Sequence, residues 1–140
     1  MEYRRFEQVC VIRLDPGEDI VEQVRSVAER EQIHLAAVQG LGAVDDFTVG
    51  VFDTAGKTYH ANHFQGSYEI VSLTGTVTTM DGQVYCHLHM SAGAGQGRVV
   101  GGHLNQARIS ATGELVLTVL PGEVDRRFSE EIGLNLFHFD

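Results

Sequence analysis

His87, His89 and His103 stand in the stretch CHLHMSAGAGQGRVVGGHLN, Cys86 to Asn105, which is mostly small and uncharged. In a strand, side chains at i and i+2 point the same way, so His87 and His89 share one face while Cys86, Leu88 and Met90 share the other. The glycine-rich connection that follows can fold back and return His103 to the same neighbourhood. The result is a three-nitrogen constellation of the kind that binds a divalent metal. Neutral imidazoles suit zinc, nickel, copper or iron better than magnesium or calcium, and zinc is the first choice. Three protein ligands leave a coordination position open, as in catalytic rather than closed structural sites. Since neutral imidazole is the ligand, loading should fall below about pH 6. The competing reading is a set of half-exposed strand histidines with ordinary hydrogen-bond partners. The remaining four imidazoles add nothing to the cluster: His34 and His138 stand alone, and His60 with His63 has the wrong parity for one strand face.

A second candidate is Glu69, in the otherwise uncharged and β-prone GSYEIVSLTGTV. A carboxylate in such surroundings needs a partner, and it could serve as a base or as an acceptor behind the metal ligands; the plainer reading is an outward-facing strand glutamate. The run GAGQGRVVGG from Gly93 does not match a dinucleotide fingerprint, and no Gly-Lys-Ser/Thr follows it. It reads as a connector, with Arg98 able to offer a cation to an acidic ligand.

The elements that must position these residues are mostly strands. Phe6 to Leu14 reads as the first, ended by the turn Asp15-Pro16-Gly17. From Glu18 to Ile33, Ile20, Val21, Val24, Val27 and Ala28 recur at helical spacing against Glu22, Arg25, Glu29 and Arg30, which predicts the one helix. Strands follow over Ala43 to Asp53, with a bend or bulge at Gly40 and Gly42, then over Lys57 to Phe64, Ser67 to Met80 and Gln83 to Met90. Asp81-Gly82 is a strong two-residue hairpin signal and places the His-x-His pair just beyond the turn. Arg98 to Leu104, Gln106 to Thr112, Glu114 to Leu120 and Leu134 to Phe139 complete an α+β pattern, a mainly antiparallel sheet with one major packed helix. Nothing divides residues 1–140 into more than a single domain.

With 19 acidic against 10 basic side chains the net charge is −9, which opposes adhesion to phosphate backbones and anionic lipid. The two cysteines, Cys10 and Cys86, sit in apolar strand-like stretches and read as buried free thiols. No run approaches the roughly twenty apolar residues of a membrane span, so a soluble cytoplasmic protein is expected.

Taken together, GSYEIVSLTGTV, HLHMS, GGHL and the final GLNLFHFD resemble the PPC domain, the plants and prokaryotes conserved domain, over nearly the whole chain. The resemblance implies an α+β fold and a homotrimer whose subunits exchange strand contacts. It carries the family's metal site onto His87, His89 and His103 and its characteristic glutamate onto Glu69. Plant members join the domain to basic Arg-Gly-Arg-Pro arms that enter the DNA minor groove. This chain has no such arm, and its pairs Arg4-Arg5 and Arg126-Arg127 are too small for an independent electrostatic footprint, so DNA is a weakly supported partner. A trimeric binding or assembly module with bound metal is the favoured function. A small metal-dependent enzyme with an open zinc site and Glu69 as base is the alternative.

Overall fold

The computed structural model describes residues 1–139. Eight strands and one α-helix run in the order β1 (Glu2–Phe6), β2 (Val9–Leu14), α1 (Ile20–Arg30), β3 (Ala36–Asp53), β4 (Thr58–Met80), β5 (Gln83–Gly93), β6 (Val99–Val119), β7 (Asp125–Ser129) and β8 (Leu134–His138). Six of the strands form an antiparallel sheet ordered β1-β2-β6-β3-β4-β5, and β5 also pairs with β6, which closes β3, β4, β5 and β6 into a ring. The remaining two strands form a separate antiparallel hairpin. The fold is thus largely antiparallel strand with a single helix, as the sequence pattern predicts.

Helix α1 forms because Ile20, Val24, Val27 and Ala28 line one buried stripe, while its start is fixed by Asp19. One oxygen of that carboxylate accepts from the Glu22 amide at 2.9 Å and the other from the Ala107 amide at 2.8 Å, so the same side chain caps the helix and ties it to β6. The apolar stripe packs with Cys10, Ile12, Leu14, Phe47, Leu88, Ile109, Leu115 and Leu117 into one core. Asp81 and Gly82 take φ of 52° and 76°, the signature of a tight hairpin turn, and so set the register of β4 against β5.

Several element boundaries differ from the sequence expectation. The expected strand Phe6 to Leu14 is β2 alone, Val9–Leu14, and ahead of it stands an unexpected strand β1, Glu2–Phe6, folded back on β2 through a turn at Glu7, whose φ is 52° without the help of glycine. The expected strands 57–64 and 67–80 are one strand, as are the three expected between Arg98 and Leu120. Glycines there bend a continuous strand instead of ending it: the pairing of β3 with β4 shifts register between Gly40 and Gly42, as expected, and again between Val44 and Asp46. The hairpin strand β7 was not expected at all, and within it the Arg126-Arg127 pair is divided: Arg127 is exposed and Arg126 is buried.

Candidate metal centre and ligand cavity

Alternation along β5 works as the sequence implies. Leu88 and Met90 enter the core at 1% and 2% exposure, while His87 and His89 face the other way. Cys86 points with the core residues toward α1, and burial pushes its thiol up to about 11, so it is neutral and faces away from the imidazoles. The connection Ala94 to Arg98 is closed by the Ala94 amide donating to the Arg98 carbonyl at 2.8 Å. It returns the chain antiparallel, with His89 directly opposite His103.

His103 is also the residue at which β6 changes partner, since Val99 to His103 pairs with β5 and the strand then continues along β3 with Gly50 opposite His103. The three rings lie 5.1 to 5.6 Å apart between centroids, and one nitrogen from each falls within 4.8 Å of the others. No hydrogen bond joins any of these imidazoles to another described residue. That counts against the reading as packed histidines with ordinary partners, and the donor set fits a divalent transition ion.

Close backbone approach is what lets the strands meet here. A Cβ on Gly102 would lie 2.5 Å from the Gly50 carbonyl oxygen, and one on Gly50 would lie 2.4 Å from the Tyr59 ring. Tyr59 therefore lies across bare backbone, edge-on to the His103 ring at 5.9 Å, and donates to the His103 carbonyl and to Asn105 Oδ1. The glycines preceding His103 thus admit neighbouring strands rather than a ligand.

The histidines form part of the wall of a cavity of about 930 Å³ that also takes in Tyr59, Tyr85, Asn105, Arg126 and Asn135 and an apolar side made by Val51, Phe52, Leu134, Leu136 and Phe137. Burial, helped by His103, Arg126 and His89, pushes His87 down to about 4, and burial with His89 also lowers His103. Both rings are neutral at pH 7 and ready to ligate. Because the folded-state pKa of His87 lies below the ordinary 6.5, the unfolded chain binds the extra proton first on acidification. The neutral ring's contribution to stability is complete above pH 6.5 and is lost as pH falls toward 4. Metal-free protein should therefore show a falling denaturation midpoint over that window, a slope that His87→Phe should flatten. In loaded protein the same depression should carry metal retention below the pH of about 6 expected for unperturbed imidazole.

Glu69 does not join the cluster. It is exposed, opposite Gly93 on β5, which places it four residues along the strand from His89, about 13 Å at 3.3 Å per residue. It lines a different cavity, of about 470 Å³, with Ser67, Tyr68, Gly93, Ala94, Gly95 and Ser110. Arg98 is exposed in the connection and lines neither cavity. His63 has a partner of its own, with Nε2 2.9 Å from Asp46 Oδ1. The residues that sequence reading missed are Tyr59, Tyr85, Asn105, Asn135 and Arg126, each of which reaches the site through long-range pairing that no local motif marks.

Among solved structures, a protein of Bacteroides thetaiotaomicron provisionally named for DNA binding superposes with a TM-score of 0.95 at 27% identity, covering 99% of this chain and 96% of its own. A metal-containing protein of Archaeoglobus fulgidus gives 0.88 at 33% identity over 99% and 97% of the two chains. A plant- and prokaryote-conserved protein of Pyrococcus horikoshii gives 0.86 at 27% over 99% and 94%. No curated protein matches the chain in sequence. The pattern of the Plants and Prokaryotes Conserved domain matches residues 1–121, from β1 through the end of β6, and on that match the chain belongs to this family.

Proposed function

We propose that the protein is a trimeric metal-binding module in which His87, His89 and His103 hold a divalent transition ion, zinc before others, at the wall of a small-molecule cavity. The observation that carries this reading is the gathering of three imidazoles, free of protein hydrogen bonds, on the wall of the 930 Å³ cavity. The metal content of the Archaeoglobus relative supports it. An ion held there supplies a Lewis-acid position for a donor atom of the ligand. The chain does the rest: Tyr59 fixes the strand that carries His103, and Leu134, Leu136 and Phe137 of β8 offer apolar surface to the body of a ligand.

Self-association is supported by large apolar side chains left open on the strands, among them Leu41, Val71 and Val99 at 55%, 63% and 51% exposure. Light scattering coupled to size exclusion should give a trimer mass. Chelation should leave that trimer folded, because the core is complete without the ion; a concentration-independent monomer would overturn the assembly, and collapse on chelation would make the ion structural.

The enzymatic alternative keeps one point in its favour, the three-ligand centre with an open side. It loses Glu69 as its base, since that carboxylate stands at another cavity. Duplex DNA is disfavoured by the charge of −9, and a sequence-specific mobility shift that survives physiological salt would reverse that judgement. No helix among the described residues is long and apolar enough to cross a membrane.

A further inference from the structure

Arg126 is 6% exposed, yet no described carboxylate lies within ion-pair distance of it. Its guanidinium is clamped between two rings, 4.6 Å from the Tyr85 centroid and 4.5 Å from that of Phe137. Nε donates to Thr78 Oγ1 at 2.9 Å, Nη1 to the Asn135 carbonyl at 2.9 Å and Nη2 to Thr76 Oγ1 at 3.4 Å. A guanidinium carries five N–H groups. Three are therefore engaged, and the other two, one on each terminal nitrogen, have no partner among the described residues. The fork belongs to the cavity of the histidines. Its acceptor Thr76 is the direct cross-strand neighbour of His87, so the cation and the imidazole cluster are side by side.

A buried cation without a counter-charge is costly to keep, and a chain that merely needed to fill the space could do so with an apolar side chain. The two unengaged N–H groups of this cation are donors suited to an anionic oxygen group such as a carboxylate. The surrounding Phe52, Leu134, Leu136 and Phe137 suit an apolar body rather than a second charge. Arg126, Leu134, Asn135, Leu136 and Phe137 lie in the hairpin β7–β8, beyond the 1–121 span of the family pattern, so the cation itself is not part of what that pattern describes, whereas Phe52, Thr76, Thr78 and Tyr85 fall within it.

We propose that this cavity recognises a small monocarboxylate with an apolar or aromatic body, its carboxylate held on Arg126 beside the metal centre. The inference rests on the reading of the cavity as a ligand site and deepens it by naming the ligand's chemistry.

The test is calorimetric titration of the full-length protein with benzoate and 3-phenylpropanoate, each against its neutral amide, and with inorganic phosphate. The acids should bind about tenfold or more tightly than the amides, the expected loss when a charge-assisted pair is removed. Arg126→Met, whose unbranched side chain fits between the two rings, should abolish that preference while keeping the wild-type oligomer mass. If the variant fails to fold, the acid-over-amide preference of chelated wild type, which holds no ion to take the carboxylate, decides the matter. Chelated wild type separates the two readings, since it holds no metal yet should retain the Arg126-dependent preference. Equal binding of acid and amide, no binding of either acid, tighter binding of phosphate than of both acids, or an unchanged preference in Arg126→Met would each overturn the proposal. Wild type that carries no metal as purified yet prefers the acids would sink the metal centre alone.

Discussion

Alanine at any one of His87, His89 or His103 should lower bound transition metal from about one equivalent per chain to below about a tenth of that, read by elemental analysis after gel filtration. The three ligands come from two strands in fixed register, with His89 opposite His103 and His87 two residues along, so each is held by pairing that the substitution leaves intact. What is lost is one of three nitrogens within 4.8 Å, and two imidazoles have too little affinity to keep the ion through a column. His60→Ala, at an exposed position opposite Val51, should change nothing. Equal metal in wild type and all three variants would mean that the cluster is only a packed group of strand histidines.

Gly102→Val should damage both stability and metal content. The added Cβ would meet the Gly50 carbonyl oxygen at 2.5 Å and the Gly50 nitrogen and carbonyl carbon at 3.1 Å. All three are backbone atoms with no rotamer to move to, so β3 and β6 must separate where His103 is attached. Overpacking of this kind costs about 1–3 kcal/mol, measurable by denaturant titration, and the displaced strand should take its imidazole away from the other two. Gly95→Ala is the control, for a Cβ there meets nothing within 4 Å. Wild-type stability and metal loading in Gly102→Val would show that the close approach is not what sets the cluster.

The histidine geometry was legible because it depends on a period of two and on one short reconnection, both local properties. Leu88 and Met90 mark the inner face of β5, and once they are buried His87 and His89 have only the other face to occupy. Helix α1 was legible for the same kind of reason, with its buried stripe at the expected residues. The length of β4 and β6 was not, because Gly66 and Gly113 carry the composition of a turn while the neighbouring strands hold them in pairing. Glu69 illustrates the opposite limit. Its position in an uncharged strand was read correctly, but which cavity it meets depends on a register set by Gly93, 24 residues away in sequence. Arg126 lay further out of reach: beside Arg127 it looks like ordinary surface charge, and only the pairing of β7 with β8 and the contact with Thr76 and Thr78 bury it.

The hairpin β7–β8 follows the strand ring in sequence and meets it through few polar anchors, chiefly the Thr79 amide on the Val124 carbonyl at 3.1 Å, the Arg126 fork on Thr76 and Thr78, and Lys57 on the Glu130 carbonyl. The imidazoles belong to the ring, as do Val51 and Phe52; Arg126, Leu134, Asn135, Leu136 and Phe137 of the cavity wall belong to the hairpin. The two halves of the cavity can therefore drift at different rates. A change confined to the hairpin would leave the three imidazoles where they are and alter the cationic and apolar part of the cavity wall, so likeness in the ring does not by itself carry likeness in that part of the cavity.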